Sequence, residues 1–503
     1  MAVFIARRLV ISFFVLLAAT FVMYTLTAVS GDPMEDLYSI GNADSRERAI
    51  AERTETMNLD TPVPLRYLAW LGDLFTGSLG VNRNGQDVSA LLGQAVSATL
   101  QLVLAAVLLA ILFGITVGIV SALRQYTGFD YSITFASFLF FSLPIFWVAV
   151  MLKQFAAIEF NNWLRDPTIS VPVMAVVSLL SGLAWMAILG GDRKRRLTTF
   201  AIAFVATAGL LAYLSATNWF ADPGLGFGGV LIGAAAAALG VTLLVSGFRY
   251  RGPLIAALAS ALVGAICYFA LGPVLQDPSW GIIVLLAVAT VGVGLAIGYF
   301  VGGLQRRHAM TTAALTGLIS GGLIFLDAMM QAYPGYAERV AGRPISTIGP
   351  STPNFSGDFW ETALDSAGHL LLPTMALILI SFATYTRYTR ASMLEVMNQD
   401  YVRTARSKGL TERTVITKHA FRNALIPVTT LMAVDLGAVI GGAVITESVF
   451  GWEGMGRLFI TGLQEVDPAP VMAFFMVTGT AVVVFNMIAD IGYAYLDPRI
   501  RLS

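Results

Sequence analysis

Long uncharged apolar runs constrain this chain most. Leu9 to Val29 is 21 residues without a charge, enough at about 1.5 Å per residue to cross a hydrocarbon core of roughly 30 Å. Comparable runs recur to the C-terminal end. The chain of 503 residues is 56% hydrophobic and only 12% charged, against about a quarter for a soluble domain. A globular core cannot bury that much apolar surface, whereas a bilayer can. The expected fold class is therefore an all-α polytopic membrane protein. Formal net charge is zero, so no basic field points to nucleic acid. The single cysteine, Cys267, excludes an intramolecular disulfide and reads as a packing residue. His308, His369 and His419 show no metal-ligand spacing, and no cofactor is expected.

Charge placement sets an expected topology. Arg7 and Arg8 precede the first span and put the N-terminus in the cytoplasm. That span is too long for the apolar region of a signal peptide, about 7–15 residues. Residues 30–95 hold ten acidic but only five basic residues and read as external. Spans follow at about 97–120 and 131–158, with Arg124 in a cytoplasmic turn between them. Across 165–330, Asp-Pro recurs at Asp166, Asp222 and Asp277, spaced by 56 and 55 residues. Basic clusters alternate with these turns at Arg193–Arg196, Arg249–Arg251 and Arg306–His308. Proline blocks helix continuation, and the basic loops face the cytoplasm. Three repeated helical hairpins are the expectation, with accidental similarity of apolar segments as the alternative. Residues 331–368 read as an external loop. Spans at about 369–388, 424–447 and 471–494 complete twelve and return the C-terminus to the cytoplasm.

Between the tenth and eleventh spans lies a basic amphipathic segment, Glu395–Pro427, broken by Gly409. Glycine readily takes a positive φ and turns one helix into the next, and Thr411 to Thr414 reads as a helix start. Such a helix–glycine–helix suits docking to another protein; an ordinary solvated connector is the competing reading. Inside the spans, Asp435 sits mid-helix, with Asp327 and Asp490 nearer the ends. Buried membrane charges face a cavity or a partner, so Asp435 is a candidate for a substrate pathway or a subunit seam. Asp327 and Asp490 read as structural, and the aromatic run Phe138–Trp147 as packing. The lysines, Lys153, Lys194, Lys408 and Lys418, never follow glycine, so the chain carries no Gly-x-x-x-x-Gly-Lys phosphate loop and is not expected to be an enzyme.

Several short strings together resemble one family. They are Arg7-Arg8-Leu9, Gly31-Asp32-Pro33, Leu59-Asp60 with Pro62, Ser142-Leu143-Pro144, Leu372-Pro373, Asn398–Ala405, Lys408-Gly409-Leu410, Arg422-Asn423-Ala424, Glu447–Phe450 and Leu496–Arg499. Their order over 1–164 and 365–503 is similar to that of the inner-membrane permeases of dipeptide/oligopeptide ABC transporters. The resemblance implies a type I ABC importer permease core of six helices, here with about six inserted ones. Its parts would be 1–164, an inserted module 165–330, and 331–503 with a coupling loop at 389–423. It implies a second homologous permease, two ATPase subunits, an external solute-binding protein and a bacterial inner-membrane location. It also assigns the ATPase-coupling role to Tyr401, Arg403, Thr404, Ala405, Arg406, Lys408, Gly409, Leu410 and Glu412. Arg403-Thr404-Ala405 replaces the Glu-Ala-Ala of the general importer loop, as in the peptide branch; the insertion is a departure from the family. Cargo of this class includes dipeptides, oligopeptides, glutathione, nickel chelates and sugars. A stand-alone twelve-span transporter or channel is the alternative, as is a receptor or scaffold using 165–330 to bind a partner. Neither accounts for the Gly409 loop, and a repeat confined to the middle does not make two halves.

Overall fold

The structure, a computed structural model, describes residues 2–248, 250–440 and 443–496, with side chains except those of 2–5, 437–440 and 489–496. Arg249, the side chain of Asp490 and the Asp497–Arg499 string thus lie outside it. The described residues form helices joined by turns and a few longer loops, the longest between Arg339 and Phe359. The first is α1 (Ala2–Ala28), followed by α2 (Ala43–Thr56) and α3 (Val63–Phe75) in the polar segment. Then come α4 (Val88–Leu123), α5 (Gly128–Ser142), α6 (Ile145–Met151) and α7 (Phe160–Leu164). Six helices occupy the repeat: α8 (Val171–Leu189), α9 (Arg193–Ala216), α10 (Gly226–Val245), α11 (Arg251–Ala270), α12 (Trp280–Val301) and α13 (Arg306–Gln331). The rest are α14 (Tyr333–Arg339), α15 (Phe359–Met397), α16 (Asp400–Ser407), α17 (Glu412–Thr414), α18 (Phe421–Ile440), α19 (Val444–Phe450), α20 (Met455–Gln464) and α21 (Pro468–Leu496).

Among the described residues, ten helices are long and apolar enough to cross a membrane. The run α5 to α7 makes an eleventh, broken by 103° at Leu143-Pro144; proline there cannot continue the helix of α5. It is one broken crossing, because its ends sit on opposite sides. Gly128 adjoins Ala187 at the end of α8, while Asn161 exchanges hydrogen bonds of 2.8 and 3.2 Å with Ile345. The helix α18, described to Ile440, stands at the sequence-expected span 424–447 and is not among those ten; α19 follows from Val444.

The largest difference from the sequence reading is α15. The expected span 369–388 is a helix of 39 residues, about 58 Å long, which takes in part of the expected loop 331–368. Asp358 starts it with a capping box: its side chain accepts from Glu361 N at 2.8 Å, and Glu361 accepts from Asp358 N at 3.1 Å. Pro373 lies inside. Beyond the bilayer thickness the helix continues to Met397 and carries the loop that follows.

The centre of the core is α4 against α15 and α18. Leu102, Val107, Tyr385, Val428 and Trp452 are buried together, and Trp452 Nε1 donates to Ala98 O at 2.9 Å. A Cβ at Gly118 would stand 2.8 Å from Thr386 O. Without hydrophobic drive between helices in lipid, such close backbone approach is what holds a pair together.

The polar segment folds onto α1, α20 and α21. Tyr67 and Trp70 of α3 pack on Tyr24 and Met472. Arg53 pairs with Asp36, whose carboxyl it holds below the ordinary value. Arg83 reaches Glu465 at 3.0 Å, and its backbone N donates to Asp467 at 2.6 Å. Burial pushes Asp467 up to about 6, against these hydrogen bonds. A raised carboxyl favours the folded state fully below the unfolded value near 4 and loses that contribution as pH rises through about 6. Wild-type melting temperature should fall over that window relative to Asp467→Asn, by up to about 3 kcal/mol of stability. Melts that stay parallel between pH 4 and 6.5 would remove Asp467 as the cause.

Candidate functional site: a helix–glycine–helix loop and the helices that carry it

Below Met397 the chain reverses at Asn398 and starts α16 at Asp400. Val402 and Ala405 on one face of α16 are buried against Val415, with Val396 and Met397 alongside. Gly409 then turns the chain with φ +76°, and its amide donates to Arg406 O at 2.9 Å. Thr411 caps the next arm by accepting from Thr414 N. This second arm is only three α-helical residues; a π-helical turn, Val415–Ala420, leads it straight into α18. The sequence-expected second short helix is therefore the start of a membrane helix.

Arg406 spans the turn: its Nε and Nη2 donate to Glu412 at 3.2 and 2.7 Å. The guanidinium lowers the Glu412 carboxyl, and the carboxylate raises Arg406. Of the nine residues expected to dock, eight share the solvent-facing side: Tyr401, Arg403, Thr404, Arg406, Lys408, Gly409, Leu410 and Glu412 are exposed. Ala405 is placed differently: it is buried against Val402 and Val415. The exposed face combines cations with the apolar Tyr401 and Leu410, a composition suited to a protein groove.

The loop is braced by a cluster missed in the sequence. Asp130, 2% exposed, accepts from Arg390 Nε and Nη2 at 2.7 and 2.9 Å, Ser121 Oγ at 2.6 Å and Tyr126 N at 3.1 Å. This joins α4, its turn and α5 to the distal part of α15. Arg387 lies over Phe138 and Phe141. The signal was an acid in the first turn of α5 and one arginine among the loop's basic residues.

Asp435 is half-buried on α18. The Tyr385 hydroxyl of α15 faces it without closing a hydrogen bond. Two other buried carboxylates are fully engaged. Glu447, at 0% exposure, accepts from Thr99 Oγ1 at 2.7 Å and from the amides of Gly456 and Arg457 at 2.8 and 3.1 Å, which starts α20. Asp327 accepts from Leu225 N, Gly226 N, Tyr268 and Gln331 at 2.7–2.8 Å, a structural role. Lys153 donates to Val449 O at 2.9 Å. Among the described residues no His, Cys, Asp or Glu group could hold a metal.

Apolar helices in bilayer-spanning number, carboxylates satisfied inside them and one exposed loop on Gly409 define a polytopic membrane protein. The profile of the family described as binding-protein-dependent transport system inner membrane component matches residues 266–502, beginning inside α11. The oligopeptide transport system permease protein OppB of Mycobacterium tuberculosis strain H37Rv is 35% identical over 226 residues, 44% of this chain and 69% of that protein. The oligopeptide transport system permease protein AppB of Bacillus subtilis strain 168 is 47% identical over 137 residues, 27% of this chain and 43% of AppB. The dipeptide transport system permease protein DppB of Escherichia coli K12 is 42% identical over 138 residues, 27% and 41% respectively. The chain belongs to the dipeptide/oligopeptide ABC transporter permease family. It is a multi-pass inner-membrane protein, and its relatives are permeases rather than enzymes.

Proposed function

We propose that this chain is one of two permease subunits in an ATP-driven importer of dipeptides or oligopeptides. Two ATPase subunits drive it from the cytoplasm, and a solute-binding protein delivers cargo from outside. The observation that carries this reading is the exposed loop around Gly409. It projects from a helix longer than the bilayer and continues directly into α18, so a push on it is delivered to a membrane helix. Both termini are cytoplasmic in this reading, and 165–330 is a module added to a six-helix core. Peptide cargo follows from the names of the relatives; glutathione, a nickel chelate or a sugar is the alternative. Affinity purification from the native membrane should bring down an ATPase and a second permease. Recovery of the chain alone, under conditions that keep other importers whole, would count against the assignment.

Asp435 borders the translocation path or the permease–permease seam in this account. A lone carboxylate turned to hydrocarbon is strongly disfavoured, and the Tyr385 hydroxyl is its polar neighbour. Asp435→Asn should change the uptake rate with the chain still inserted. Wild-type uptake by Asp435→Leu would remove this residue from the path.

A further inference from the structure

The last carbonyls of a helix lack intrahelical partners and carry the negative end of its dipole. In two of the inserted hairpins, an arginine from outside the hairpin supplies the missing donor. Arg124, in the turn after α4, donates to Ile188 O near the end of α8 at 2.8 Å. Arg413, on the second arm of the Gly409 loop, donates through Nη2 to Leu244 O and Val245 O at the end of α10, at 2.7 and 3.1 Å. The neighbouring loop cations are engaged otherwise: Arg406 on Glu412 and Arg403 near Asp400.

The helix so held is fixed at its far end too. Asp327 of α13 binds the first amides of α10, and Tyr268 of α11 and Gln331 complete that cluster. Close by, Trp360 at the start of α15 donates to Leu275 O at 2.7 Å. With 20 residues, α10 is about 30 Å long. It is therefore a strut between the Gly409 loop at one end and the Asp327 cluster of α11 and α13 at the other.

We propose that Arg413 is a positioning residue, a clasp through which the inserted module holds the second arm of the loop and sets how much ATP turnover reaches the transport path. This rests on the coupling role of the loop. A loop pinned to a membrane-spanning strut resists being pushed aside, so motion of the docked ATPase is passed into α18. With the clasp open, the arm yields locally and hydrolysis is spent without transport.

The test compares Arg413→Ala and Arg413→Lys in the complete membrane-embedded complex, with peptide uptake per ATP hydrolysed as the first readout. Arg413→Ala should lower that ratio about fivefold, and Arg413→Lys, still a donor to carbonyls, should recover part of it. The second readout is amide hydrogen exchange in the chain without its ATPase. Exchange should rise together in 411–417 and 240–246 on Arg413→Ala. An unchanged ratio, or an unchanged 240–246 segment, overturns the clasp; the latter means that Arg413 acts by touching the ATPase. Gly409→Val run in parallel separates the two readings. If it leaves coupling intact, the loop is not the coupling element; if it uncouples while Arg413→Ala does not, only the clasp fails.

Discussion

Gly409→Val should reduce ATP-dependent uptake about tenfold or more while leaving membrane insertion unchanged. A Cβ at Gly409 would meet nothing within 4 Å, so the substitution creates no clash. Its whole effect is on the backbone, which here sits at φ +76°. A β-branched residue is a genuine outlier in that region, at a cost of about 1–3 kcal/mol, and 1.4 kcal/mol is a factor of ten in population. The helices on either side stay formed, because Val402, Ala405 and Val415 hold them together and Arg406 bridges to Glu412. What changes is the angle at which Tyr401, Lys408 and Leu410 are presented. Asparagine tolerates the left-handed region, so Gly409→Asn should keep most of the activity. Peptide-stimulated ATP hydrolysis and uptake by the reconstituted complex decide the matter. Equal, normal values for both variants would mean that the angle is irrelevant.

Asp130→Ala should strongly destabilise the core. It removes one partner of a buried ion pair and leaves Arg390 facing a hole; breaking such pairs costs about 3–5 kcal/mol. Arg390 is a quarter exposed, so the lower end, about 3 kcal/mol, applies. The loss reaches transport because Arg390 sits on the stretch of α15 that carries the loop. Replacing both partners by apolar residues, Asp130→Leu with Arg390→Met, should recover much of the stability, since no charge is then stranded. Uptake should stay low, because the brace is still missing. Thermal melts of the purified chain with uptake assays resolve this. Wild-type melting by Asp130→Ala, or a double variant worse than the sum of the singles, would deny the pair its structural role.

The membrane architecture is legible because a bilayer imposes a length on every crossing and a charge bias on every turn. Asp166, Asp222 and Asp277 all fall between helices, and Arg193, Arg251 and Arg306 all open one. Boundaries were less legible where capping or proline competed with hydropathy. The Asp358 to Glu361 capping box lies in a stretch that reads as loop, so the start of α15 falls ten residues before the expected span at 369. Gly409 was readable as a turn because a positive φ has few other tenants. The contacts that brace it were not. Arg390 to Asp130 and Arg413 to Leu244 join residues 260 and 169 positions apart, and no local periodicity records such a pairing. In the sequence both arginines count only as cytoplasmic charge.

The central claim is that this chain conducts cargo only when an ATPase drives it through the Gly409 loop. Proteoliposomes containing the chain, its second permease and the ATPases, supplied with binding protein and labelled peptide, test it directly. Uptake should require ATP inside the ATPase compartment, vanish when the ATPases are omitted, and drop with Gly409→Val. Peptide uptake driven by an ion gradient in vesicles holding this chain alone would contradict the account and establish a stand-alone transporter.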